Sequence, residues 1–139
     1  MREEYIDNLD RIKEMRDLEK YANYFFLMHY WMRNIEEGKK LDVFFDNRGY
    51  KNVAIYGVGY LGEHFITQIS NKYGPVYTID RGVVRYKGVE CSLEDFRENA
   101  SSADVIVVTP VTEYESIKET IKKYVEIDVV SLEEVILSM

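Results

Sequence analysis

A chain of 139 residues has room for one domain with an appended helical segment, and not for a two-domain dehydrogenase. With 46% apolar residues it can bury a core, which argues against wholesale disorder. A formal net charge of −7 without a basic patch argues against nucleic acid, and a single cysteine, Cys91, excludes an intramolecular disulfide or a cysteine-rich metal site. The charge divides unevenly: 9 basic and 11 acidic residues in 1–50, 9 and 14 in 51–139, so the second part is the more acidic. Aromatic residues make up 14%, with 12 tyrosines, a content that suggests surfaces meeting a ligand or partner. The opening MREEYIDNLDR is too charged for a secretory signal. The longest apolar run, Tyr24 to Met32, is interrupted by His29 and too short to span a bilayer. A cytoplasmic protein with no membrane insertion is therefore expected.

Residues 2–37 predict helix, either one rod or two joined near Lys20. Ile6, Leu9, Ile12, Met15 and Leu18 recur every third residue, giving an apolar stripe that drifts around the helix. From Leu18 the spacing changes: Leu18, Tyr21, Phe25, Met28, Met32 and Ile35 follow a 3/4 pattern, with Tyr24, Leu27 and Trp31 as a second line beside it. A helix apolar over so much of its girth needs cover on more than one side. One side can pack on the following domain; the other needs either the chain's own first helix, folded back as a hairpin, or a two-fold dimer. His29 on this surface predicts a packed histidine, because no second metal-type residue stands at helical spacing from it. Gly38 is the expected helix stop, and Leu41 to Phe45 a short amphipathic turn. The expected division is residues 1–39 as a helical packing or dimerisation segment and 40–139 as the main domain.

Lys51 to Gly62, KNVAIYGVGYLG, organises that domain. Asn52 to Tyr56 predicts a buried strand, Gly57, Gly59 and Gly62 form G-x-G-x-x-G, and a helix from Glu63 to Lys72 follows with Phe65, Ile66 and Ile69 inward. Such an order is what a dinucleotide-binding turn requires. Gly57 permits the tight turn, Gly59 the approach of backbone to a pyrophosphate, and Gly62 close packing of the helix, whose N-terminus favours phosphate. A second strand, Val76 to Ile79, ends at Asp80, where an acidic residue would accept from a ribose hydroxyl.

Further on, Val83 to Tyr86 reads as a short extra strand and Val89 to Cys91 as a brief edge strand, and Ser92 as the cap of a short helix with an acid at its third position. DVIVVT, Asp104 to Thr109, is the clearest buried strand, continuous and β-branched as parallel strands are. Thr112-x-x-Glu115 predicts a capping box for a helix burying Ile117 and Ile121. Val129-Val130 is the last strand, and Ser131 caps the last helix. Strands alternating with helices predict an α/β, Rossmann-like parallel sheet of about five strands in the order 3-2-1-4-5, preceded by the helical segment.

Asp80 favours NAD over NADP, whose 2′-phosphate would meet its charge, and the neighbouring Arg81 weakens that preference. Thr109, Pro110, Val111 and Thr112 would form the second wall, and Glu63 would compete with a pyrophosphate at the helix start. The glycine spacing disfavours S-adenosylmethionine, and no P-loop is present. Tyr114-x-x-x-Lys118 matches a short-chain dehydrogenase pair, but 12 tyrosines and 10 lysines make one such spacing expected by chance. Cys91 reads as a structural thiol and His64 has no assignable role. No catalytic residue and no metal ligand is therefore expected.

KNVAIYGVGYLG, Ile79-Asp80, the VVTP after the fourth strand and the closing VVSLEEV together resemble small bacterial Rossmann-like domains associated with surface-polysaccharide and sugar-modifying proteins. The resemblance covers residues 40–139 and implies a nucleotide or sugar-nucleotide connection without dedicated catalysis. The combined expectation is a non-catalytic module binding NAD, with NADP or a sugar nucleotide as alternatives. Its cofactor residues would be Gly57, Val58, Gly59, Tyr60, Leu61, Gly62, Asp80, Arg81, Thr109 and Pro110. Tyr21, Tyr24, Phe25, Met28, Trp31 and Met32 would form the interface to a second copy or a partner transferase. An interaction scaffold with an empty glycine loop and a sugar-nucleotide-modifying enzyme subunit are the alternatives.

Overall fold

The computed structural model describes residues 2–139. Helix α1 runs unbroken over Arg2–Glu36, about 52 Å at 1.5 Å per residue, so no hairpin folds back at Lys20. After Gly38 and Leu41 comes α2, Asp42–Arg48, a full two turns where the sequence predicts only a short turn, ended by Gly49 at φ 71°. The domain continues as β1 (Val53–Tyr56), α3 (Tyr60–Gln68), β2 (Thr78–Asp80), β3 (Val83–Tyr86), β4 (Val89–Ser92) and α4 (Leu93–Phe96). It closes with β5 (Val105–Val108), α5 (Tyr114–Lys122), β6 (Asp128–Ser131) and α6 (Leu132–Leu137).

The fold is α/β, with one mixed sheet of six strands in the order β4-β3-β2-β1-β5-β6. β2, β1, β5 and β6 run parallel to one another, while β3 and β4 join antiparallel. The predicted five-strand, all-parallel order 3-2-1-4-5 is thus corrected at one edge. The reason lies in two connections. Asp80 pairs with Val83 and Tyr86 with Val89, leaving only Arg81-Gly82 and Lys87-Gly88 as loops. A parallel crossover needs a dozen or more residues, so two can make only a hairpin. Both central residues of each loop are left-handed, with φ 52° and 79° in the first and 50° and 78° in the second, the form that matches strand twist.

Alternate residues of the central strands face opposite sides. Val53, Ile55, Val105 and Val107 pack under α1, α2, α3 and α6. Ala54, Ile106 and Val108 pack against α4 and α5 through Phe96, Ile117 and Ile121. All four residues of β5 are buried, as its apolar run predicts. Ser92 accepts from the Asp95 N–H at 3.1 Å, which realises the predicted cap of α4. Ser131 caps α6 by accepting from the Glu133 N–H at 3.2 Å. The capping box at Thr112 does not form, because a 3-10 turn over Val111–Glu113 precedes α5 and leaves its first residue at Tyr114.

Two polar ties fasten the N-terminal part of the chain to its C-terminal part. Buried Asn34 donates its Nδ2 to the Ile136 carbonyl at 3.1 Å, joining α1 to α6. Tyr50 donates its hydroxyl to Asp128 Oδ2 at 2.6 Å. Burial first, then the Asp128 hydrogen bond and charge, push the Tyr50 phenol up to about 12. A proton held more tightly in the folded chain stabilises it below the ordinary tyrosine pKa of about 10, and that contribution is lost as pH climbs through the folded value. Stability is therefore expected to fall between about pH 10 and 12. Urea unfolding across that range should show a shallower fall for Tyr50→Phe; superimposable curves would remove Tyr50 from the account.

Candidate functional site

The turn between β1 and α3 is built by two glycines that the fold requires and one that it does not. Gly57 leaves β1 at φ 94° and donates its N–H to the Ile79 carbonyl at 2.8 Å. A β-carbon there would stand 2.6 Å from Thr109 Oγ1 and 2.7 Å from Pro110 Cδ. On Gly62 it would stand 2.2 Å from the Gly57 carbonyl oxygen, so α3 lies directly against the turn. Thr109 closes the arrangement, its hydroxyl donating to the Gly57 carbonyl at 2.8 Å. Gly59 differs: it caps α3 at an ordinary φ of −78°, and a β-carbon on it would meet nothing within 4 Å.

In front of Gly59 is a cleft of about 490 Å³. One wall is the glycine turn, with Gly59, Tyr60 and Leu61, and the floor is Thr109 and Pro110. The opposite wall is α1, which supplies Lys20, Tyr21, Tyr24 and Met28. Tyr60 is 89% exposed, whereas Leu61 is buried in the core and Val58 is half-buried. Lys20 Nζ lies 5.7 Å from the Tyr24 ring centre and 3.9 Å from Glu113 Oε1. The arrangement joins the unpaired N–H groups of a helix start, a lysine and three phenol rings, which is chemistry suited to an anion carrying a flat ring.

Asp80 and Arg81 do not line this cleft; they stand exposed where β2 turns into β3, with Arg81 in the left-handed position of the hairpin. Asp80 is close enough to Tyr56, at the end of β1, to help raise its phenol pKa, after burial and ahead of Glu113. The six residues predicted as an interface divide. Trp31 is 2% exposed in the chain's own core, Tyr24 and Met28 are half-buried at the cleft, and Tyr21, Phe25 and Met32 are exposed. His29, predicted to be packed, is exposed, because α1 docks through the line containing Leu27, Trp31 and Asn34 instead. His64 meets the Trp31 ring edge-on at 6.5 Å. Cys91 is half-buried.

Lys20 and Glu113 were not among the predicted site residues. Their only signal is Lys20's position beside the aromatic run of α1, and what it faces depends on where the helix lies. Tyr114 donates to the Val129 carbonyl at 2.8 Å and so holds α5 to β6. A larger open groove, about 770 Å³, lies between residues 111–116 and α6, with Glu113, Glu115, Glu133 and Glu134 at its border. Those carboxylates would repel phosphate. Among the described residues no cluster of three His, Cys, Asp or Glu could hold a metal, and no helix is long and apolar enough to cross a membrane. No family model, curated protein or solved structure matches the chain.

Proposed function

We propose that this protein is a Rossmann-like nucleotide-binding module, with an NAD-type dinucleotide as its first candidate ligand. Gly59 is the observation that carries the reading. Gly57 and Gly62 are explained by packing within the turn, but nothing in the fold asks for glycine at 59. A side chain there would fill the space in front of the α3 N-terminus, where a pyrophosphate needs close approach to backbone. Lys20 would neutralise the phosphates, and Tyr21, Tyr24 or Tyr60 would cover a base. The module is accessory, in the sugar or surface-polysaccharide setting that its sequence resembles, and its own residues bind without catalysing.

The alternative reading is a scaffold with an empty glycine loop, and the position of Asp80 outside the cleft favours it. Thermal unfolding against NAD, NADP, S-adenosylmethionine and UDP- or GDP-sugars separates the two. A ligand binding only the folded chain at 100 times its dissociation constant adds about 2.7 kcal/mol. Gly59→Leu is expected to abolish that shift while lowering intrinsic stability by roughly 1 kcal/mol or less, the scale of losing a favourable N-cap. Equal ligand affinity in the variant would refute the site, and no shift with any ligand would favour the scaffold.

A further inference from the structure

The fold covers one side of α1, two flanks border clefts, and the fourth side is open. Leu27, Trp31 and Asn34 are buried beneath it. Tyr21, Tyr24 and Met28 line the cleft on one flank, and Phe26 and Tyr30 border a groove with Leu137 on the other. At 3.6 residues per turn, the side opposite the buried line carries Met15, Leu18, Ala22, Phe25, His29 and Met32. All six are exposed, Leu18 at 70% and Phe25 at 67%. They alternate three and four residues apart, the heptad spacing of a helix–helix seam.

We propose that this seam pairs with the same seam on a second copy of the chain, antiparallel. Aligning Met15 with Met32 of the other copy brings Leu18 to His29 and Ala22 to Phe25, so the smallest seam residue meets the largest. Parallel pairing would stack Phe25 on Phe25 beside an Ala22–Ala22 void, and interiors tolerate neither crowding nor gaps. It would also set Glu14 against Glu19 of the other copy on both flanks, at the positions where coiled coils place opposite charges.

The apolar area is sufficient. Aromatic side chains bury roughly 150–250 Å² each. Phe25 flanked by Tyr21 and Phe26, with Met15, Leu18 and Met32, therefore reaches the order of the ~800 Å² per partner that a stable interface needs.

Light scattering on the full chain after size exclusion is expected to give twice the 16.4 kDa chain mass. Phe25→Asp should return it to one chain with an unchanged circular dichroism spectrum. For orientation, Met15→Cys and Met32→Cys are each made in a Cys91→Ser background. Like positions in an antiparallel pair lie about 25 Å apart along the axis, so neither variant should form an interchain disulfide alone. Mixed, reduced and reoxidised, the two should form one. A wild-type chain that stays monomeric leaves the seam to a different protein and overturns the proposal. Disulfides in either variant alone would mean parallel pairing and overturn it equally.

Discussion

Trp31→Ala is expected to cost about 3–5 kcal/mol of folding stability, the range for removing a buried tryptophan side chain. The indole is 2% exposed and shares a buried cluster with Leu41, Phe44, Leu61 and Ile136, so it joins α1 to α2, α3 and α6 at once. Its Nε1 has no hydrogen-bond partner, which makes its contribution one of packing. Without the ring, α1 keeps Leu27 and the Asn34 bond to Ile136 but loses its largest anchor. The midpoint of urea unfolding should drop accordingly, and limited proteolysis should cut within residues 2–40 well before the sheet unfolds. A loss below about 1 kcal/mol, the size of an ordinary surface change, would show that α1 is held elsewhere.

Gly57→Ala is expected to have an effect of similar size for a different reason. Its φ of 94° costs a non-glycine residue about 1–3 kcal/mol. The new methyl adds an overlap with Thr109 and Pro110 that costs about 1–3 kcal/mol more. Gly62→Ala meets a backbone oxygen at 2.2 Å and should lose about 1–3 kcal/mol through overlap alone. Gly59→Ala, facing open space, should lose little. Denaturant curves for the three variants test this ordering. Equal losses at all three positions would mean that Gly59 also has a structural task, and the case for a ligand there would lose its main support.

Local spacing made much of this architecture legible. The strand and glycine turn of KNVAIYGVGYLG appear where the pattern puts them, as do β5 and the serine caps of α4 and α6, whereas α3 spans Tyr60–Gln68 where the pattern predicts Glu63 to Lys72, and α1 is one rod where the pattern allowed one or two. Each depends on residues within a few positions of one another. The hairpins at Arg81-Gly82 and Lys87-Gly88 were harder to read. Arg and Lys are unusual at a left-handed position, and only pairing of the flanking strands shows that two residues make the whole connection.

By itself, then, the sequence determined the order of elements, the glycine turn and the fact that α1 has more apolar surface than one contact can cover. It could not say which apolar line of α1 would be buried, because lines on one helix are equivalent until a sheet is set against one of them. The tertiary structure decided that Leu27, Trp31 and Asn34 go inward, that Lys20 and two tyrosines face the glycine turn, and that Phe25 faces out. That choice depends on contacts between residues 102 positions apart, as in the Asn34–Ile136 bond, which no periodicity within the helix encodes.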